Sequence, residues 1–188
     1  SKNNDDTLPQ LHENEEINKN EMNSEVKEID NLYHRKKFDA VKKICLKKIS
    51  EKTLNHFYYL YLSGVYAQEH HNDKELEYIN KTIAIAPKIE YLRLKVKTLI
   101  KFNKIEEAFE LLNTIISQNN NDYISLTLKG ILYKKINELE KAKTCYEKAL
   151  NINPEYILAQ SSLAILNFSN PKNEIEALSE SYKSLDLL

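Results

Sequence analysis

The chain has 188 residues, of which 41% are hydrophobic and 29% are charged, and its formal net charge is −1. This balance favours several amphipathic helices that share a thin core over one thick globular core. The sequence contains only two glycines, Gly64 and Gly130, which excludes the glycine-rich loops of P-loop and dinucleotide-binding proteins. The same scarcity predicts that turns with a positive φ are rare, and it argues against an all-β domain.

The charge is distributed unevenly along the chain. Residues 1–28 contain eight acids and three lysines, a net of −5, so the remaining residues together carry +4. We expect no nucleic-acid partner, because nucleic-acid-binding proteins usually concentrate a larger basic excess on one face. The sequence shows no secretory signal and no apolar stretch long enough to span a membrane. We therefore expect an intracellular, cytoplasmic protein without a membrane span.

Residues 1–20 form an acidic, Asn-rich tail with few apolar side chains. We expect this tail to be disordered, because it cannot bury enough apolar surface to offset the entropy lost on ordering. Two interpretations stay open: a leader without a role, or a regulatory segment. In the second, the tail would fold back over a basic stripe and compete with a partner at high effective concentration.

Residues 21–188 repeat one pattern at a step of 33 or 34 residues. The start of each second helix shows this step most clearly, at Val41, Glu75, Ala108 and Ala142. Residues that suit a helix core follow four positions later, at Cys45, Ile79, Leu112 and Tyr146. In the first helices the recurring residues are Leu32, Tyr66, Leu99 and Tyr133. The pattern predicts about five copies of one helix hairpin, over residues 22–55, 56–88, 89–122, 123–156 and 157–188.

The fourth copy has the most complete set of recurring residues. They are Leu126, Gly130, Tyr133, Ala142, Tyr146, Ala149 and Pro154. Small residues at Gly130 and Ala142 let two helices approach each other. The two tyrosines fill the space between hairpins and can extend their hydroxyls to the surface, and the proline stops the helix from continuing.

These residues stand at the spacings of the tetratricopeptide repeat (TPR) signature, and the chain resembles this family over residues 22–188. The second copy retains Tyr66 and Pro87, and the third retains Ala108. The resemblance implies an all-α fold, a right-handed superhelical solenoid of about five antiparallel helix hairpins. It also implies a protein-binding scaffold or adaptor rather than an enzyme.

In such a fold the first helices line a concave groove that holds a partner peptide or helix. Three cations of the third copy stand four residues apart on one helical stripe, at Arg93, Lys97 and Lys101. The fourth copy adds Lys134 and Lys135, and the second adds an apolar shelf of Phe57, Leu60 and Tyr61. We hypothesise that this groove binds an extended acidic segment of another protein. The competing interpretation is an ordinary solvated helix face.

The carboxylate clamp that some TPR domains use on chaperone tails does not match this sequence. Its first pair of positions carries Leu60 with Gly64, Arg93 with Lys97, or Thr127 with Ile131. A co-chaperone arm without that clamp is the second functional hypothesis, and a catalytic protein with an unrecognised site is the third.

We predict no catalytic residue, metal site or cofactor. Adjacent His70 and His71 are interpreted as an exposed turn, and Cys45 and Cys145 as structural thiols. The fifth copy ends at Leu185, Leu187 and Leu188 without a polar capping helix. Self-association through this end is therefore a further expectation.

Overall fold

The computed structural model describes residues 23–168, and these residues form nine α-helices and no strand. The helices are α1 (Ser24–His34), α2 (Phe38–Ser50), α3 (His56–Gln68), α4 (Asn72–Ile85), α5 (Ile89–Lys101), α6 (Ile105–Gln118), α7 (Tyr123–Lys135), α8 (Leu139–Ile152) and α9 (Ile157–Phe168). The all-α prediction is confirmed for this part of the chain. The acidic tail, the second helix of the fifth copy and the C-terminal leucines lie outside the described residues.

The helix boundaries follow the repeat step of the sequence. The second helix of each hairpin begins at Phe38, Asn72, Ile105 and Leu139. The position three residues further on is buried in all four helices, and so is the position four residues beyond that. The apolar face of each helix therefore lies at the register that the spacing predicts.

The prediction that positive-φ turns are rare is wrong. Among residues 23–168, five non-glycine residues have φ between 57° and 63°, and neither glycine has a positive φ. Four of them follow the first helix of a hairpin at the repeat step, at Lys36, His70, Asn103 and Asn137.

Backbone hydrogen bonds explain why these turns tolerate residues with side chains. In the first turn Lys36 donates its N–H to the Tyr33 carbonyl and Lys37 donates to the Leu32 carbonyl. The same pair of bonds closes the other three turns. This is a Schellman motif, which satisfies the last helix carbonyls and so stabilises the left-handed residue.

The chain divides into two compact units, one ending at Lys104 and the other beginning at Ile105. The core of the first unit contains buried residues from α1, α2 and α3, joined by Tyr91 of α5. The second unit has one cluster around Leu126, Ala149 and Ala159 and another around Ala142, Tyr146 and Leu166. In each unit, consecutive helices pack against one another, as α3 does on α4 and α7 on α8.

Both glycines serve close packing rather than a turn. A Cβ at Gly130 on α7 would overlap Cε1 of Tyr146 on α8, and a Cβ at Gly64 on α3 would lie 2.7 Å from the Tyr33 hydroxyl of α1. The Tyr146 hydroxyl is itself buried, so the expectation that it reaches the surface is wrong. Burial raises the pKa of Tyr146 to about 12.

Candidate functional site

Helix α5 carries the three cations that the sequence places on one stripe. It is a continuous helix of 13 residues, with Glu90 in its first turn and Lys101 in its last, the arrangement that the helix dipole favours. Arg93 and Lys97 are half-buried, whereas Lys101 is exposed. The stems of the first two side chains therefore lie against the protein surface, a common arrangement for long cationic side chains.

Lys101 has a partner within the first unit. Its Nζ lies 2.7 Å and 2.5 Å from the two carboxylate oxygens of Glu75 on α4. The Thr98 hydroxyl donates a 3.2 Å hydrogen bond to the same carboxylate. The Glu75 side chain is 4% exposed and that of Lys101 is 39% exposed. A buried carboxylate needs such partners, so Lys101 has a structural task that its spacing on α5 does not reveal.

The predicted apolar shelf lies in the core of the first unit. Phe57, Leu60 and Tyr61 on α3 are 2%, 4% and 1% exposed. The Tyr61 hydroxyl donates a 2.7 Å hydrogen bond to Asp30 on α1. As placed, these three side chains stabilise the packing of α3 and are not available as a surface.

The two lysines at the end of α7 belong to the second unit. Lys134 is half-buried and Lys135 is exposed, and both stand in the last turn of the helix. A cation in this position interacts favourably with the negative end of the helix dipole. Their location therefore has a local structural reason as well as a potential binding role.

A polar network that the spacing of residues does not reveal attaches α1 to its neighbours. Glu25 accepts a 2.6 Å hydrogen bond from the Tyr58 hydroxyl of α3 and lies 2.7 Å from the Lys48 ammonium of α2. These hydrogen bonds, from Lys48 first and then from Tyr58, lower the pKa of Glu25. The available signal was the number of tyrosines on α3, two of which, Tyr58 and Tyr61, donate hydrogen bonds to carboxylates of α1.

The two cysteines are poorly suited to nucleophilic chemistry. Both are buried and reduced, and burial raises the pKa of the Cys45 thiol to about 12 and that of Cys145 above its usual value. Thiols with a raised pKa hold little thiolate at neutral pH.

Residues 23–168 contain no group of three or more His, Cys, Asp or Glu side chains that could hold a metal ion. Exposed His70 and His71 lie in the turn between α3 and α4, as interpreted from the sequence. No helix in the same range combines the length and apolar character needed to cross a membrane.

Comparison with known proteins identifies relatives of the repeat. The family model described as tetratricopeptide repeat matches residues 123–156. The TPR repeat-containing protein MJ0940 of Methanocaldococcus jannaschii is 30% identical over 115 residues, which are 61% of this chain and 36% of that protein. Its MJ0941 counterpart is 28% identical over 71 residues, 38% of this chain and 21% of that protein. The chain thus spans about a third or less of these relatives' length.

Solved structures share the fold at low sequence identity. MamA from Desulfovibrio magneticus RS-1, from residue 41 to its end, has a TM-score of 0.64 at 17% identity, covering 88% of this chain and 96% of that one. The first TPR domain of human RPAP3 has a TM-score of 0.51 at 18% identity, covering 60% and 89%. At this identity, the likeness concerns the fold alone.

Proposed function

We propose that this chain belongs to the tetratricopeptide repeat family, whose model matches residues 123–156, and that it is a protein-binding scaffold or adaptor and not an enzyme. The family supports the general class, whereas the choice of partner must come from the residues of this chain. We infer that α5 binds an extended acidic segment of another protein. The observation that carries this inference is the pair Arg93 and Lys97, one helical turn apart on a regular helix.

The chemistry of these two side chains suits carboxylates. A guanidinium can form two parallel hydrogen bonds with one carboxylate, and a lysine adds a compact charge one turn away. Their half-buried stems limit the rotamers that must be fixed on binding, which lowers the entropic cost of association.

Lys101 contributes less to this surface than its spacing suggests. Glu75 compensates the charge of Lys101, so an approaching acid gains little from that lysine. We therefore assign recognition to Arg93 and Lys97 and a positioning role to Lys101. Lys134 and Lys135 belong to the second unit and stay a separate prediction of a cationic contact.

The proposal is tested by affinity capture from a lysate of the source cells, read by mass spectrometry, with three forms of the full chain. They are the wild type, Arg93→Glu/Lys97→Glu, and a control with the same change in charge on α8, Lys143→Glu/Lys148→Glu. Lys101 stays unchanged, because Lys101→Glu would place a second carboxylate against buried Glu75. We expect a partner with an acidic segment that the wild type and the control retain and the α5 variant loses. Equal retention by all three forms would contradict the assignment to α5.

A further inference from the structure

The densest run of positive charge in the sequence surrounds α2. Residues 35–54 contain eight Lys and Arg residues and two acids, a net of +6. This local excess is larger than the +4 carried by all residues after position 28, so the rest of that region is slightly acidic. The basic character of the protein is therefore concentrated on one short segment, at a distance in sequence from α5.

Most of these cations form no ion pair with the residues that the structure describes. Lys42 pairs with Glu69 at 2.5 Å and Lys48 pairs with Glu25 at 2.7 Å. The Lys47 ammonium lies 3.8 Å from Glu51, in a pair whose side chains are 72% and 47% exposed. The other five cations are exposed and form no ion pair with the described residues: Arg35, Lys36, Lys37, Lys43 and Lys52.

Two apolar side chains project among these cations. Leu46 is 42% exposed and Leu54 is 77% exposed. Leu46 lies on the same solvent-facing side of α2 as Lys43 and Lys47, and the opposite side buries Val41 and Cys45. We call the exposed residues of this segment the α2 basic face: Arg35, Lys36, Lys37, Lys43, Leu46, Lys47, Lys52 and Leu54.

We propose that the α2 basic face docks on the anionic surface of a lipid bilayer. Lysines gain free energy near a negatively charged leaflet, and clusters of four to eight of them are typical of segments that bind acidic lipids. Leucines inserted at the boundary between headgroups and acyl chains add apolar burial. The face therefore combines the two contributions that an interfacial protein surface uses.

The shape of this face favours a flat partner over a peptide or a nucleic acid. An acidic peptide would pair mainly with the lysines, whereas Lys43, Leu46 and Lys47 share the outward, convex side of one helix and can meet a plane together. Nucleic-acid binding gains mainly from phosphate contacts, which would leave Leu46 and Leu54 without a role. A bilayer accommodates the cations and the leucines together.

The overall charge of −1 does not oppose this docking. Charges more than about 8 Å from the bilayer are largely screened at physiological ionic strength, so the local +6 decides the interaction. Binding should therefore weaken steeply as salt is added. The face includes neither Arg93 nor Lys97, so docking uses residues other than those of the partner site on α5.

Vesicle sedimentation with the full chain tests the proposal. Phosphatidylcholine vesicles are used with and without phosphatidylserine. We expect the wild type to sediment only with the serine-containing vesicles and to be released by salt. Each lysine near the surface contributes about a fivefold factor, so Lys43→Glu/Lys47→Glu should lower the partition coefficient by at least about twentyfold. Leu46→Ser should lower it severalfold.

The control is Lys143→Glu/Lys148→Glu on α8, which changes the formal charge equally and should sediment like the wild type. A second variant, Lys43→Gln/Lys47→Gln, gives a smaller loss and preserves the test if the glutamates disturb folding. Failure to bind serine-containing vesicles, or equal loss in the α8 control, would overturn the proposal. So would binding of a polyglutamate peptide or an RNA oligonucleotide through the same lysines without vesicle binding.

Discussion

The second hairpin (α3 and α4) and the fourth hairpin (α7 and α8) share one backbone arrangement but differ in a buried residue. In both, a lysine of the second helix covers a tyrosine of the first: Lys74 lies 4.9 Å from the ring centre of Tyr66, and Lys141 lies 5.7 Å from that of Tyr133. Both hairpins also close with the same pair of turn hydrogen bonds. These shared features are set by backbone geometry and by residues at the repeat step.

The difference lies at the buried position near the start of the second helix. The fourth hairpin has Ala142 there, and it needs no polar partner. The second hairpin has Glu75, whose carboxylate is satisfied by Lys101 and Thr98 from the next helix. One hairpin is therefore self-sufficient at this position, whereas the other depends on α5. A repeat tolerates a charge at a small-residue position when the next helix compensates it.

The largest expected effect follows from breaking that compensation. Lys101→Ala leaves the Glu75 carboxylate buried without a counter-charge and should lower the free energy of unfolding of the first unit by about 3–5 kcal/mol. Lys81→Ala, which removes a pair between side chains 46% and 54% exposed, should cost at most about 1 kcal/mol. Urea unfolding monitored by circular dichroism distinguishes the two, and similar small losses would contradict the role given to Lys101.

The fourth hairpin should respond most to loss of its buried aromatic ring. Tyr146 is fully buried, so Tyr146→Ala should cost about 3–5 kcal/mol. Tyr133 is only half-buried against Phe109, and Tyr133→Ala should cost less, about 1–3 kcal/mol. Thermal unfolding of the two variants would refute this order if Tyr133→Ala were the more damaging.

Replacing the two glycines tests how closely the helices pack at Gly130 and at Gly64. Gly130→Ala forces a methyl group against the ring of Tyr146 and should cost about 1–3 kcal/mol. Gly64→Ala meets the outer end of Tyr33 and should cost less, since that end can shift. Tyr33→Phe removes the nearest atom and should recover part of the Gly64→Ala loss. Chemical denaturation measures the free energy of unfolding of these variants and so tests the order of their losses. An unchanged free energy of unfolding for Gly130→Ala would show that the two helices separate easily.

The smallest effect concerns pH and the attachment of α1. The folded pKa of Glu25 lies below its ordinary value of 4.5, so the group stabilises the protein above that pH. The contribution is lost as the pH falls from 4.5 through the lowered pKa. Because Glu25 is partly exposed, we expect less than about 1 kcal/mol. The wild type should be more stable than Glu25→Gln at neutral pH and should lose this difference on acidification. If the difference in denaturation midpoint between the two proteins did not change with pH, Glu25 would not be the source of the pH dependence.

The repeat step made the helices and the packing register predictable. Spacings between rare residues reveal a copied unit, and a copied unit must bury the same face each time. The left-handed turn residues were not predictable from the glycine count. Hydrogen bonds to the carbonyls of Tyr33 and Leu32, rather than the absence of a side chain, stabilise Lys36 in that conformation.

The candidate site was predictable in position but not in role. Spacing along α5 places Arg93, Lys97 and Lys101 on one helix, but it cannot show that Glu75, 26 residues earlier, faces Lys101. Phe57 and Leu60 were expected on the surface because their positions in the repeat face a groove in related folds. In this chain they belong to the core of the first unit, which depends on how the other helices pack around α3.

A fluorescence anisotropy titration would test most directly the division between binding and structural cations. The probe is a labelled extended peptide of alternating acidic and apolar residues, and the proteins are the wild type, Arg93→Glu/Lys97→Glu and Glu75→Ala/Lys101→Ala. The double alanine variant removes both partners of the ion pair and so leaves no buried charge unpaired; it should fold and bind within about twofold of the wild type. The α5 charge reversal should weaken binding at least about tenfold. If the charge reversal binds normally and the double alanine variant does not, the assignment of recognition to Arg93 and Lys97 is contradicted.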